Sequence, residues 1–219
     1  MASLIKIPAT QKSFYTPSQA EQNLNKINNV IRPKFGKIIK NISRISQVPE
    51  TLIESFIFIE SGGNENAFTP YASGLMQVSN SAGSDALIRE KSTGRLNAEE
   101  DAIVRKYLGS RYSNLENLKP NQKTIGKTFL TKSDLLKPEF NILVGSLILG
   151  TLLDEFSEGG IPRLDKIVVI YNRGRFDKVS KEVAKSNKST DGLIASIPKG
   201  TGDYIKKLVG NQGLLFSLT

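Results

Sequence analysis

The chain has 219 residues, enough for one sizeable hydrophobic core and too few to require two domains. It contains neither cysteine nor histidine, which excludes disulfides, thiol nucleophiles, the common zinc sites and Ser-His-Asp triads. Its net charge of +9 indicates either attraction to an anionic polymer, such as those of a bacterial envelope, or simply a solvated basic surface. The absence of tryptophan and of aromatic residues interleaved with the basic ones argues against nucleic-acid binding.

The sequence predicts neither an export signal nor membrane insertion. Residues 1–8 lack an apolar run long enough for the core of a signal peptide. The longest apolar run, residues 142–153, covers only 12 positions. A membrane-spanning helix needs ~20 such residues, so this run is expected to be a core helix.

Two amphipathic helices are predicted near the N-terminus. Thr16 and Gln19 form a capping box with Pro17 at the first helical position. The first apolar stripe, which Pro33 should end, is Ala20, Leu24, Ile27 and Ile31. The second consists of Phe35, Ile38, Ile39, Ile42 and Ile45, opposite Lys34, Lys37, Lys40 and Arg44. We therefore expect an N-terminal extension over residues 1–32, which packs on the main domain or attaches to a partner, and one catalytic domain over 33–219.

The next predicted helix carries a candidate functional carboxylate near its C-terminal end. Pro49 suits its first turn and Gly62-Gly63 its end, so the apolar run between them predicts one short buried helix. Glu60 lies in the last turn, where the negative end of the helix dipole and apolar neighbours should raise its pKa. A general acid at neutral pH requires such a shift. The simpler interpretation is that Glu60 points into water at a frayed helix end. Residues 63–73 predict turns or a short hairpin lining a cleft.

The remaining elements are also predicted to be helical. A capping box at Asn97 opens a helix that should end at Gly109. Residues 110–133 predict a long basic loop, within an insertion of about residues 84–136. Pro138 should open a central buried helix that reaches Phe156 and is closed by Gly159-Gly160. Further helices are expected from Pro162 and from Asp203 to Val209, before an apolar tail. The predicted fold class is mainly α.

Three motifs in this order resemble those of soluble lytic transglycosylases. They are Glu60-Ser61 with Ser73-Gly74-Leu75-Met76-Gln77, then Pro138-Glu139-Phe140-Asn141-Ile142, and finally Ile170-Tyr171-Asn172-Arg173-Gly174. The resemblance covers about residues 33–209, except for the segment between Ala82 and Leu136, which matches no part of the family pattern. It implies a lysozyme-like helical bundle around a central buried helix, with a small β element after the catalytic helix.

The resemblance also implies a chemistry. This family cleaves the MurNAc-GlcNAc β-1,4 bond of peptidoglycan with one Glu as acid and then base, leaving 1,6-anhydro-muramoyl ends. Glu60 takes that role here, with no metal or cofactor. Substrate-binding positions carried over from the motifs are Thr69, Gln77, Tyr171 and Asn172, the last being the motif's structural amide. The first three have a simpler interpretation: a loop hydroxyl for Thr69, a turn cap for Gln77, and a core aromatic for Tyr171.

The sequence departs from the family pattern at four places. The loop between Glu60 and Gln77 is one residue shorter than expected, Ser79 stands where Met is frequent, Arg173 replaces Ala, and Gly200 replaces Glu. Two alternatives stay open. The protein could be a hydrolytic muramidase that uses Glu65 as a second carboxylate, or a non-catalytic module that binds the envelope or builds a virion.

The expected partners are peptidoglycan glycan strands and, through the N-terminal arm, phage virion proteins. Bacterial relatives must be exported, whereas no export signal is recognised here. We therefore expect a bacteriophage enzyme, made in the host cytoplasm and either packed into the virion or released by a holin.

Overall fold

The computed structural model describes residues 10–118 and 129–218. Helices dominate these residues, as the sequence predicted. Their bounds are α1 Pro17–Lys26, a π-helix Ile27–Ile31, α2 Arg32–Ser46, α3 Glu50–Ser61, α4 Asn80–Ser92, α5 Ala98–Leu108, a 3-10 turn Gly109–Arg111, α6 Tyr112–Glu116, α7 Lys132–Leu135, α8 Pro138–Glu155, α9 Leu164–Arg173, α10 Lys178–Lys185, α11 Thr190–Ser196, α12 Lys199–Val209 and α13 Leu214–Leu218.

The β structure is small, which completes the confirmation of the predicted fold class. β1 (Ser157–Glu158) and β2 (Ile161–Pro162) form an antiparallel pair, with Ser157 opposite Pro162 and Glu158 opposite Ile161. After α3, two isolated antiparallel bridges join Phe68 to Ser73 and Ser73 to Val78. The segment that follows the predicted catalytic helix is therefore held by bridges, and the two-stranded sheet lies later in the chain.

The chain divides into two compact units. We call residues 34–150 the central unit and the residues on either side of it, up to 33 and from 151 onward, the terminal unit. In the terminal unit α1 packs against α13, while α9 packs against α10 and α12. The predicted capping box at Thr16 is present, with Pro17 at the start of α1. The N-terminal helix thus has a packing partner near the other end of the sequence.

Pro33 does not end the first helix, contrary to the prediction. The five residues before Arg32 form a π-helix, and the N–H of Arg32 donates to the carbonyl of Ile27, five residues back. A proline within an α-helix would lack one hydrogen bond and its ring would clash with the carbonyl four residues earlier. A wider π-turn just before the proline relieves that clash. The helical path therefore continues into α2, whose predicted apolar stripe is buried at Phe35, Ile39, Ile42 and Ile45.

The prediction that Gly159-Gly160 closes α8 is also wrong. Gly159 and Gly160 both have positive φ, 59° and 79°, and form the two-residue turn between β1 and β2. Two consecutive positive φ values match the tight turns that fit the twist of a hairpin. α8 accordingly ends at Glu155, and Pro162 belongs to β2, so the next helix begins at Leu164.

Two helices bury their apolar residues at the core of the central unit. α3 contributes Leu52, Ile53, Phe56 and Ile57, and α8 contributes Phe140, Leu143 and Val144, all fully buried. The predicted cap of α5 is confirmed, because the side chain of Asn97 accepts from the backbone of Glu99 and Glu100. α5 ends at Gly109, also as predicted.

The predicted long loop over residues 110–133 is wrong where the structure describes it. Tyr112 and Leu115 are buried and anchor α6, and Thr131 caps α7. The Ser84 hydroxyl accepts hydrogen bonds of 2.8 Å from the backbone N–H groups of Phe129 and Leu130, which ties this segment to α4. Residues 119–128, part of the same prediction, lie outside the described residues.

The sequence did not predict α4, α10 or α11, and it predicted only an apolar tail where α13 lies. Asp177 and Ser189 cap α10 and α11 through their side chains, a local signal that short helices give weakly. None of the helices in residues 10–118 and 129–218 is both long and apolar enough to cross a membrane.

Candidate active site

Glu60 lies half-buried in the last turn of α3. Gly62 ends the helix in the left-handed conformation, φ 61° and ψ 22°, and its N–H donates to the carbonyl of Phe58 at 3.0 Å. The predicted glycine stop is thereby confirmed, and Pro49 is the residue immediately before the helix. A carboxylate in a terminal turn faces the negative end of the helix dipole, which opposes its ionisation.

The loop from Gly62 to Val78 is folded by its own hydrogen bonds. The backbones of Ser73 and Val78 exchange two bonds of 3.0 and 3.1 Å. Gln77 has a positive φ of 44°, and its side-chain Nε2 donates to the carbonyls of Ala67 at 3.1 Å and Gly74 at 2.9 Å. Both amide hydrogens of Gln77 therefore bind loop backbone. The predicted contact of Gln77 with substrate would have to use its carbonyl oxygen.

A single buried amide fastens this loop to α8. The Oδ1 of Asn141 accepts from the N–H of Met76 at 2.8 Å, while its Nδ2 donates to the carbonyls of Ser73 at 2.9 Å and Leu135 at 2.8 Å. Asn141 is fully buried, so these three bonds form away from water. Asn141, from the second of the three motifs, thus holds the loop of the first motif in place.

Glycines allow the loop and the helix to come this close. A Cβ on Gly74 would overlap the carbonyl oxygen of Leu135 and the amide of Asn141, and the φ of Gly74 is +79°. A Cβ on Gly145, in α8, would lie 2.5 Å from the sulfur of Met76. Only glycine fits at the first position, because both the space and the backbone conformation exclude a side chain.

Thr69 lies in the middle of this loop. Its Oγ1 accepts from the backbone N–H groups of Tyr71 at 3.2 Å and Ala72 at 3.0 Å, so the hydroxyl holds a local turn. Thr69 also lines a pocket with a volume of about 300 Å³, together with Tyr71, Ser73, Ser79, Asn80 and Lys132. We call it the Tyr71 pocket. Thr69 therefore lies at the wall of a surface pocket.

Aromatic side chains around the Tyr71 pocket are unusually exposed. Tyr71 is 84% exposed and Phe68 is 62% exposed. The ammonium of Lys132 lies 3.1 Å from the centroid of the Phe68 ring. Tyr71 and Lys132 were not among the predicted site residues. The sequence signal for this site was the presence of Phe68 and Tyr71 in a polar, turn-forming stretch, where no helix or strand periodicity accounts for apolar side chains.

Glu65, the alternative second carboxylate, takes part in an ion pair. Its Oε1 lies 2.9 Å from the Nζ of Lys34, and the two side chains are 29% and 54% exposed. An exposed pair of this kind has an ordinary surface role. In the parts of the chain that the structure describes, no group of three acidic or other ligating side chains could hold a metal ion.

Tyr171 and Asn172 belong to the terminal unit, in the last turn of α9. Tyr171 is half-buried and Asn172 is exposed. The next residue, Arg173, binds Asp177 with two hydrogen bonds of 2.7 and 3.1 Å and reaches the hydroxyl of Thr201 at 3.2 Å. The hydrogen bond from Arg173 lowers the pKa of Asp177, which caps α10. Arg173, a departure from the family motif, therefore has a structural function of its own.

No known protein-family model matches this sequence, and no functionally characterised protein matches it significantly. A function for this chain must therefore be inferred from its own sequence motifs and from the contacts that join the first two of them.

Proposed function

We propose that this protein is a lytic transglycosylase that cleaves the MurNAc-GlcNAc β-1,4 bond of peptidoglycan. The observation that supports this best is the fixation of the Ser73–Gln77 motif by Asn141. Two motifs that resemble one family, far apart in sequence, meet through three buried hydrogen bonds. The loop that they fix begins at the helix end that carries Glu60.

Glu60 is the proposed general acid and base. In the first step its carboxyl donates a proton to the glycosidic oxygen, and the bond from that oxygen to C1 of MurNAc breaks. The oxygen of the substrate's N-acetyl group bonds to C1 and stabilises the positive charge that develops there. In the second step the Glu60 carboxylate takes the proton of the MurNAc 6-hydroxyl, and O6 displaces the N-acetyl oxygen from C1. The products are a GlcNAc end and a 1,6-anhydro-MurNAc end.

The other positions have subsidiary proposed roles. Thr69 and Gln77 contact the sugar from the loop after α3, Tyr171 orients the acid or the N-acetyl group, and Asn172 supports the end of α9. None of these steps requires a metal or another cofactor. Glu60 must be protonated in the first step, which its place at the helix C-terminus favours.

Replacement of Glu60 by Gln tests the proposal directly. The amide keeps the shape and polarity of the side chain but cannot give up a proton, so release of soluble muropeptides from purified sacculi should fall by roughly 10²- to 10⁴-fold. Mass spectrometry of the products of the unaltered protein should show anhydro-muramoyl ends and no reducing MurNAc ends.

Glu65→Gln is the matched control, because it makes the same chemical change five positions later and removes only a surface ion pair. It should leave the release of muropeptides unchanged. Reducing ends that require Glu65 would establish a hydrolytic muramidase instead. No cleavage by the unaltered protein, together with binding to sacculi, would establish a non-catalytic envelope module.

We further propose that the protein is a bacteriophage product that reaches peptidoglycan from the host cytoplasm with a holin, or from the virion. Made alone inside bacteria, it should leave the cells intact until the inner membrane is permeabilised, after which turbidity should fall quickly. Cells that make Glu60→Gln should stay turbid under the same treatment. Lysis before permeabilisation, or recovery of the protein from the periplasm, would contradict this account.

A further inference from the structure

The Tyr71 pocket combines three features that together favour a charged sugar. Hydroxyl and amide side chains line it, at Thr69, Ser73, Ser79 and Asn80. Tyr71 stands beside them with most of its ring in solvent. Lys132 supplies a positive charge at the same wall. Its volume of about 300 Å³ is at the lower end of the range for small-molecule sites, suited to one residue of a longer chain.

The wall of this pocket is held firmly in place. The Thr69 hydroxyl accepts from the backbone N–H groups of Tyr71 and Ala72, and the backbone N–H of Thr69 donates to the carbonyl of Ala72 at 2.8 Å. Ser79 caps α4 on the other side by accepting from Ala82. Tyr71 is therefore presented to solvent by a closed turn. A large aromatic exposed in this way gains free energy when a flat apolar ligand face covers it.

Lys132 has no acidic partner among the residues that the structure describes, whereas several other cations of the central unit are paired. Lys34, Lys91, Lys106, Arg44 and Arg111 all form ion pairs. No carboxylate in the described residues pairs with Lys132, whose ammonium rests on the face of Phe68. The nearest acid along the chain, Asp134, binds Arg111 at 2.5 Å and the Thr131 backbone at 2.8 Å. The Asp134 carboxylate is therefore already bound by other groups.

We propose that the Tyr71 pocket is a subsite for a carboxylate-bearing amino sugar, with Lys132 binding the carboxylate and Tyr71 stacking on the sugar ring. This inference rests on the proposed function, since it names the part of peptidoglycan that this region recognises. In peptidoglycan such a carboxylate belongs to the lactyl group of a MurNAc that carries no peptide or, where the lactyl carboxyl is amide-linked to a stem peptide, to that peptide. GlcNAc, which lacks both, would bind only through the stacking and the hydroxyl contacts.

Binding measurements separate recognition from cleavage. The experiment uses the full chain with Glu60→Gln, so that the saccharides stay intact, and titrates it calorimetrically with three probes. These are chitotetraose, a GlcNAc-MurNAc tetrasaccharide without peptides, and the same tetrasaccharide with its stem peptides. The two carboxylated probes should bind more tightly than chitotetraose.

Lys132→Gln should remove that difference. A hydrogen bond between charged groups corresponds to roughly 10- to 100-fold in affinity, so binding of the carboxylated probes should fall by that factor and binding of chitotetraose should stay unchanged. Lys132→Arg should restore most of the affinity, because it keeps the charge. Lys40→Gln, an exposed lysine of α2, should change none of the three affinities.

Tyr71→Ala should weaken all three probes by roughly threefold to tenfold, and Tyr71→Phe should retain their binding, because stacking requires the ring and not the hydroxyl. Loss of affinity for the peptide-free tetrasaccharide in Lys132→Gln would identify the lactyl carboxylate as the ligand group. Loss confined to the peptide-bearing probe would identify the peptide.

Two results would overturn the proposal: equal losses for carboxylated probes and chitotetraose in Lys132→Gln, or no loss for any probe. A lowered melting temperature of Lys132→Gln with unchanged affinities would show that Lys132 only supports the loop through Phe68. The test is independent of catalysis. If the unaltered protein does not cleave sacculi but Lys132 still discriminates between the probes, the proposed function fails and the subsite remains.

Discussion

Two helices of this protein end at a glycine beside predicted site residues, and different forces hold the segments that follow. After α3, which ends before Gly62, neutral amides of Gln77 and Asn141 bind backbone groups, with Asn141 fully buried. After α9, which ends before Gly174, Arg173 binds Asp177 with both side chains partly exposed. Buried neutral hydrogen bonds respond little to salt and pH, whereas a partly exposed ion pair responds to both. The segment next to Glu60 should therefore keep its geometry under conditions that loosen the segment next to Tyr171.

Replacing Asn141 by Ala should have the larger effect on stability. It leaves the N–H of Met76 and the carbonyls of Ser73 and Leu135 without their partner in a buried place. At about 1 kcal/mol for each of three lost hydrogen bonds, the free energy of unfolding should fall by about 3 kcal/mol. Urea unfolding at 0.05 M and at about 1 M NaCl should give the same loss, because no charge is involved.

Asn114→Ala is the matched control, since it removes the same amide from an exposed position of α6. Its free energy of unfolding should stay within about 0.5 kcal/mol of that of the unaltered protein. A loss in Asn141→Ala as small as in this control would mean that the loop after α3 does not depend on the buried amide. A loss that shrinks strongly in high salt would contradict the proposed contrast between the two segments.

Replacing Arg173 by Ala should have the smaller effect, and that effect should depend on conditions. The hydrogen bond from Arg173 is the largest cause of the lowered pKa of Asp177, whose ordinary value is 3.8. A carboxylate with a lowered pKa stabilises the folded state above its unfolded pKa, and this contribution is lost as the pH falls through the folded value. The gap in melting temperature between Arg173→Ala and the unaltered protein should therefore be constant from about pH 5 to 8 and close below about pH 4.

High salt should also narrow that gap, since both side chains are partly accessible to ions. Lys181→Ala, which removes an exposed positive charge from α10, controls for a general effect of charge. The same pH profile for both variants would assign the effect to net charge and not to the pair of Arg173 with Asp177.

Signals confined to a few neighbouring residues were read correctly from the sequence. The caps at Thr16 and Asn97 and the stops at Gly62 and Gly109 lie where the sequence placed them. Each depends on a side chain or glycine that satisfies backbone groups within one helical turn, so no distant contact can override it easily. The mainly helical fold class followed from the apolar spacing for the same reason.

Proline and glycine were misread where their effect depends on the neighbouring geometry. Pro33 lies within a continuous helical path because a π-turn precedes it, and nothing in the apolar pattern announces that turn. Gly159 and Gly160 can end a helix or turn a hairpin. Which of the two occurs depends on whether residues 157–158 and 161–162 pair as strands. Strands of two residues have too little sequence pattern to predict that pairing.

The candidate site was predictable only in part, because its supports come from far along the chain. Asn141 binds backbone groups 65 and 68 positions earlier, and Lys132 rests on a ring of the loop after α3. Spacing within a helix or loop cannot reveal such pairs. The motifs suggested Gln77 and Thr69 as substrate contacts, whereas their side chains also bind loop backbone, a function visible only in three dimensions.

The packing of α1 against α13 has a consequence for the order of folding during synthesis. The central unit is one continuous stretch, residues 34–150, so all of its described contacts become available once that stretch has left the ribosome. The terminal unit draws on both sides of that stretch, and α1 must wait for α13, nearly 200 residues later, before its apolar stripe is covered. α1 is thus synthesised well before its packing partner, and its apolar stripe lacks that partner until α13 has been made.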